Sequence, residues 1–230
     1  MTTEEKSRLL ASYENMSNLG CLEYNIIKQL SLDDDDFIRS QCAALLVNYD
    51  NKEEAKNLLL HLSYDLNSFV RTEAYDSLGV FSSNEVIERL LVAIKSEPDN
   101  LARRYSILSL TNIVYTLKHN YDDYIIKFKE IEAAESADEC KLAFYYSIYL
   151  LGEGDYLGNI LSFLTNEDYH LRCSVLHLLR EIDIDCVNDK EHISYTINTL
   201  LLSETSEAVI STALETLKQI GLGDSNMPTK

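Results

Sequence analysis

Proline and glycine are scarce, at two and seven in 230 residues, and tryptophan is missing. A many-stranded β fold needs both at its tight turns, so the shortage favours long helices joined by short polar breaks. Positive charge is scarce too: 20 Lys plus Arg stand against 38 Asp plus Glu, a net charge of −18 at neutral pH. Nucleic acids and anionic membrane surfaces reward clustered basic side chains, so neither is expected as a partner. No run approaches the roughly 20 apolar residues of a membrane span. Glu4 and Glu5 near Met1, with no apolar core behind them, argue against a secretory leader. The five cysteines, Cys21, Cys42, Cys140, Cys173 and Cys186, are odd in number and lack the spacing of a disulfide framework. That usage fits a reducing compartment, and a cytoplasmic location is expected. What the chain does have is apolar surface, with 46% hydrophobic residues, fifteen Tyr and six Phe, enough for a packed core. Cys42, Cys140 and Cys21 are expected inside that core as slowly reacting thiols.

A repeat runs through the chain. Asp35-Asp36-Phe37-Ile38-Arg39, followed by Cys42, Ala43 and Leu46, returns as Asn67-Ser68-Phe69-Val70-Arg71 with Ala74 and Leu78, and again as Asp99-Asn100-Leu101-Ala102-Arg103 with Ser106 and Leu110. Arg39 to Arg71 is 32 residues, and Arg71 to Arg103 is 32 again. Asp168-Tyr169-His170-Leu171-Arg172, with Val175 and Leu179, lies 69 residues beyond Arg103 and leaves room for one degraded copy, which Lys141 to Leu151 fills poorly. A last copy, Ser206 to Leu217, keeps Val209, Ala213 and Leu217 but has Ile210 in place of the arginine. Each copy opens with a helix-capping residue. An apolar residue, a small residue four later and a Leu four later again then share one helix face.

A polar break separates each of these first helices from a second amphipathic segment: Glu53 to Leu62, Asn84 to Lys95, Tyr121 to Ile131, Asp155 to Leu164 and Lys190 to Leu202. In Asn84 to Lys95 the stripe Val86, Ile87, Leu90, Leu91 and Ile94 is apolar, with Glu85, Glu88 and Arg89 opposite it. The expected fold is an all-α, right-handed solenoid of about six two-helix units in one domain over residues 1–220. Residues 1–31 would form an N-terminal capping pair, Glu4 to Glu14 and Leu22 to Leu30, with 221–230 as a flexible tail.

At these residues the chain resembles the HEAT-repeat family, over roughly residues 20 to 220. The resemblance implies a ladder between neighbouring repeats, built from the caps Asp35, Asn67, Asp99 and Asp168 and the arginines Arg39, Arg71, Arg103 and Arg172. A position repeated in every unit is what an interface between units predicts, so these arginines read as structural, ahead of a role as anion ligands.

Catalytic signals are weak. His170, Cys173 and His177 share one helix face at i, i+3 and i+7, but no local carboxylate or second cluster completes a tetrahedral metal set, so no metal is expected. HEAT-like hydroxylases carry adjacent His-Glu pairs, and that dipeptide does not occur here. HEAT-like DNA glycosylases are basic, the opposite of this chain. Bilin-handling lyases of similar architecture remain the enzyme alternative, without a diagnostic motif. There is no phosphate loop and no nucleophile elbow. No catalysis and no cofactor is expected.

Acid and tyrosine are the surplus. Asp33 to Asp36 precede a helix, where acids complement the helix dipole, but four exceed that need. Between Tyr121 and Glu139, Asp122, Asp123, Glu130, Glu132, Glu135, Asp138 and Glu139 face only Lys127 and Lys129. A second cluster holds Glu181, Asp183, Asp185, Asp189 and Glu191 against Lys190. Tyrosine beside carboxylate suits a basic protein surface, since the ring gives rigid contact area and the acid meets Lys or Arg. The expected function is therefore protein binding through an acidic concave face. The contacts would be made by Glu53, Glu85, Glu88, Asp122, Asp123, Asp155, Tyr156 and Tyr195 on the second helices. Architecture and charge resemble those of some bacterial immunity proteins of contact-dependent inhibition systems, which implies a basic, nuclease-type toxin as partner. A generic regulatory scaffold is the remaining alternative.

Overall fold

The computed structural model describes residues 1–16, 18–118, 120–182 and 187–221. Cys186, Asp183, Asp185, His119 and nearly all of the expected tail lie outside them. The described residues form thirteen α-helices and no strands. The order is α1 (Thr3–Glu14), α2 (Cys21–Leu30), α3 (Asp36–Leu45), α4 (Lys52–Leu62), α5 (Ser68–Leu78), α6 (Asn84–Ser96), α7 (Asn100–Leu117), α8 (Tyr121–Glu132), α9 (Asp138–Leu150), α10 (Tyr156–Ser162), α11 (Tyr169–Glu181), α12 (Val187–Leu201) and α13 (Glu207–Gln219). Six helical hairpins and a last first-type helix make an α-solenoid, as the repeat requires.

The chain forms two compact units, Met1–Cys140 and Lys141–Lys230. In the first, α1, α3, α5 and α7 stack side by side, and α4 and α6 pack against α5 and α7. Within this unit the first helices α1, α3, α5 and α7 approach one another more closely than the second helices α4 and α6 do. In the second unit α11 packs on α13, and α12 on both α10 and α13.

The repeated triplet is the core. Ile38, Cys42 and Leu46, then Val70, Ala74 and Leu78, then Ala102, Ser106 and Leu110 are all fully buried, as are Val175, Leu179, Val209 and Ala213. Small residues at the middle position let the first helices of unit 1 approach closely, and Ser77 Oγ donates to Ala43 O of the neighbouring helix at 3.1 Å. The triplet also fixes the register of the degraded copy. Cys140, Phe144 and Ile148 of α9 are fully buried, which puts Lys141 at the arginine position. Arg103 to Lys141 is then 38 residues, and α7, at 18 residues, is the longest helix of the stack.

Caps form where the sequence places them: Asp35, Asn67, Asp99, Asp168 and Ser206 accept from backbone N–H groups of the first turns of α3, α5, α7, α11 and α13. The ladder differs from the expected one. The arginines do not pair with the caps but with an acid two residues before the residue that opens the next first helix, a cap in three cases and Ala137 before α9. Arg39 Nε donates to Asp65 Oδ2 at 2.7 Å, Arg71 Nε to Glu97 Oε2 at 2.8 Å, Arg103 Nε to Glu135 Oε2 at 3.0 Å and Arg172 Nε to Glu204 Oε2 at 2.7 Å. Each of the four also makes a second Nη2 bond to the same carboxylate. A cap cannot serve as partner because its carboxylate or amide oxygen is already turned onto its own helix. The acid two residues earlier is free to face back toward the preceding repeat, and its Oδ1 or Oε1 accepts backbone N–H bonds from the turn leading into the helix. Each arginine also donates through Nη1 to carbonyls of the turn before its own helix, as Arg71 does to Asp65 O at 2.9 Å and Leu66 O at 3.0 Å. One guanidinium thus ties its own turn to the next. Lys6 takes this place in α1, reaching Asp33 Oδ2 at 2.6 Å.

Two further expectations are corrected. Cys42 and Cys140 are buried, but Cys21 is exposed at the start of α2. Arg89, placed on the polar face of α6, is only 9% exposed. Its Nε donates to Ser63 Oγ at 2.8 Å and its Nη2 to Tyr75 Oη at 2.7 Å, which satisfies the C-terminal end of α4 and makes burial of the charge tolerable.

Candidate protein-binding surface

The second helices keep one face on the core and show the other to solvent, and the period of their apolar stripe decides which acids are free. On α4, Ala55, Leu59 and Leu62 point inward, leaving Glu53 exposed. On α6, Val86, Leu90, Ala93 and Ile94 do the same, leaving Glu85 and Glu88 exposed. Lys56 Nζ sits between the two helices, 2.8 Å from Glu53 Oε1 and 3.7 Å from Glu85 Oε2. Its side chain is 12% exposed against 70% and 64% for the two glutamates, so the carboxylates stand outside the cation that joins them. The hydrogen bond to Glu53 first, and the nearby charges of Glu53 and Glu85, raise the Lys56 pKa and keep the ammonium charged.

Asp122 and Asp123 lie exposed in the first turn of α8, directly after Asn120, which adopts left-handed φ 60° as Lys118 does at φ 54°. An asparagine accepts that conformation most readily among non-glycine residues. Further along α8, Lys127 Nζ stands 4.9 Å over the Tyr124 ring, so part of the cationic charge of this helix is spent on its own tyrosine. The remaining three candidates belong to the second unit. Asp155 is exposed before α10 and makes no side-chain cap bond. Tyr156 is half-buried, because its ring packs 5.7 Å from that of Tyr145. Tyr195 is 73% exposed on α12. The structure therefore brings Glu53, Glu85 and Glu88 together on neighbouring helices and leaves Tyr156 partly withdrawn.

The metal-like trio does not assemble. No group of three or more possible metal ligands occurs among the described residues. On α11, Nδ1 of His177 instead meets the Arg180 guanidinium, a cationic neighbour that opposes a metal ion. No helix among the described residues is long and apolar enough to cross a membrane.

The class that fold and repeat define is the α-solenoid of HEAT-like hairpins. No protein-family model and no curated protein matches the sequence. Among solved structures, the Escherichia coli protein YibA is similar over 96% of this chain and 78% of its own, at 16% identity and a TM-score of 0.56. A HEAT-like repeat protein of the archaeon Thermococcus onnurineus has 17% identity over 97% of this chain and 98% of its own, with a TM-score of 0.42. The complex of CpcE and CpcF of phycocyanin lyase from Nostoc sp. has 15% identity over 86% and 94%, with a TM-score of 0.46. At 16% identity the likeness to YibA is one of fold.

Proposed function

We propose that this chain is a non-catalytic binding module whose acidic second helices grip a basic protein, and that the partner is a cationic, nuclease-type toxin which the chain neutralises as its immunity protein. The observation that supports this reading is the surplus of exposed carboxylate on α4, α6 and α8. Glu53, Glu85, Glu88, Asp122 and Asp123 all face solvent, while Lys56 between the first two is largely covered. A nuclease must be basic to hold phosphates, so an inhibitor that covers such a surface gains on-rate and affinity from acidity. A generic scaffold has no need of a net charge of −18. The test is affinity capture from the native source, followed by association kinetics with the captured protein. A basic partner is expected, associating several-fold more slowly as salt rises from 50 to about 300 mM. The double reversal Asp122→Lys/Asp123→Lys is expected to weaken binding while circular dichroism stays unchanged. An acidic partner, or affinity indifferent to salt and to the reversal, removes the basis of the reading. A purified protein carrying stoichiometric chromophore would favour a pigment-handling role instead.

A further inference from the structure

Unit 1 carries a second surface that this reading does not use, along the edge where α3, α5 and α7 begin. Phe37, Phe69 and Leu101 each stand two residues after the caps Asp35, Asn67 and Asp99, and are 56%, 66% and 40% exposed. The residues immediately after them, Ile38, Val70 and Ala102, are fully buried, so one further step of about 100° around the helix separates the core from this row. The 32-residue repeat aligns the three along the stack, one interhelical distance of about 10 Å apart. Beside them, Leu66 is 99% exposed in the turn before α5. Tyr64 is 68% exposed and held from below by the Arg89 guanidinium, 3.9 Å from its ring centroid.

The fold does not require apolar residues there. The same position holds Glu139 in α9 and His170 in α11, and in α13 no more than the small Ala208. An apolar row confined to three consecutive repeats, in the face of a solubility cost, marks a contact surface. Its surroundings give the sign of the partner. The turns leading into α3, α5, α7 and α9, together with the first residue of α3, hold eight carboxylates, Asp33, Asp34, Asp35, Asp36, Asp65, Glu97, Asp99 and Glu135. Four of these are taken by Lys6, Arg39, Arg71 and Arg103. Asp34, Asp35, Asp36 and Asp99 form no ion pair among the described residues and leave the edge net negative.

We propose that this edge docks a basic amphipathic helix of another protein, lying along the stack. Apolar side chains at i and i+7 of such a helix repeat every 10 Å or so, the spacing of Phe37, Phe69 and Leu101. Lysines and arginines flanking that stripe meet the exposed Asp34 and Asp36. The proposal is independent of the second-helix surface and can fail or stand without it.

The probe is a fluorescently labelled, helix-stabilised 18-residue peptide with Leu at i, i+7 and i+14 and Lys on the flanks, titrated into the full chain by anisotropy. A control peptide of the same composition has its leucines scrambled. The expected result is binding of the first peptide at least tenfold tighter than the second. Phe37→Ser/Phe69→Ser and Asp34→Lys/Asp36→Lys should each weaken it at least tenfold, and Asp122→Lys/Asp123→Lys should leave it unchanged. Because Phe37 and Phe69 are exposed, these variants should keep the wild-type circular dichroism, and a more conservative Phe69→Leu variant should bind nearly as wild type. Equal binding of the scrambled peptide, wild-type binding by Phe37→Ser/Phe69→Ser, or loss of binding only on Asp122→Lys/Asp123→Lys each overturns the proposal. So does concentration-dependent dimerisation abolished by the Phe37 and Phe69 substitutions, which would assign the edge to a second copy of the chain.

Discussion

Arg71 exemplifies how one side chain holds two repeats. Its side chain is 14% exposed and that of Glu97 3%, so replacing Arg71 by Ala strands a buried carboxylate beside Tyr75. Losing one partner of such a pair costs about 3 kcal/mol, to be read from the urea unfolding midpoint. Burial alone would raise the Glu97 pKa, but the hydrogen bonds from Arg71 and the backbone of Asp99 outweigh it and hold the group below its ordinary value. A depressed folded pKa gives stability that is present above the unfolded value and lost as pH falls through the folded one. The stability difference between wild type and Arg71→Ala should therefore be largest near pH 7 and shrink below about pH 4.5. A difference independent of pH would mean that the rung contributes no charge-dependent stability. Thiols provide a second test at this scale. Burial pushes Cys42 up to about 12 and Cys140 up to about 11, so neither forms thiolate at neutral pH. A thiol reagent should modify Cys21 quickly in the native protein, and Cys42 and Cys140 only on denaturation.

At the scale of the helix, the α5–α7 contact depends on one glycine. Gly79, the C-cap of α5, has an ordinary φ of −59°, so an alanine there suffers no backbone strain. In a free helix end the exchange would stabilise, by restricting the unfolded chain. Here a Cβ would stand 3.0 Å from the backbone carbonyl of Asp76 and 3.1 Å from Ser109 Oγ of α7. The carbonyl cannot yield without moving α5, so Gly79→Ala should destabilise by about 1 to 3 kcal/mol in thermal or urea unfolding. A gain in stability would show that α5 and α7 can separate freely. The extra length of α7 has a plainer cause: its apolar periodicity continues through Ile113 and Val114, both 1% exposed, before the left-handed turn at Lys118 ends it.

Across the whole molecule, the surplus of acid works against compactness. A net charge of −18 repels itself through solvent, where salt screens it over about 8 to 10 Å, whereas the covered Arg–carboxylate rungs are screened much less. Raising sodium chloride from about 20 to 300 mM should therefore raise the melting temperature by several degrees. A fall instead would mean that exposed ion pairs, such as Arg8 with Glu4, carry more of the stability than the buried rungs do.

The repeat itself was legible because a helix face shows every apolar residue at a 3.6 period, and Ile38-Cys42-Leu46 and its copies needed nothing else. Caps were legible for the same local reason, since Asp35, Asn67, Asp99, Asp168 and Ser206 act within one turn of their own helix. The exposed acids of the second helices followed from the same stripe, with Glu53, Glu85 and Glu88 on its far side. The sequence could not choose the ladder's partners: cap and acid stand two residues apart, and only the path of the turn decides which faces back. Nor could it bury Arg89, whose place depends on Ser63 and Tyr75 arriving from α4 and α5. The register of α9 was hidden because α7 outlasts the repeat and Lys141 replaces the arginine. Periodicity along one helix fixed what each segment buries, and the meeting of segments distant in sequence decided which polar groups pair, because a hydrogen bond depends on position to within a few tenths of an ångström.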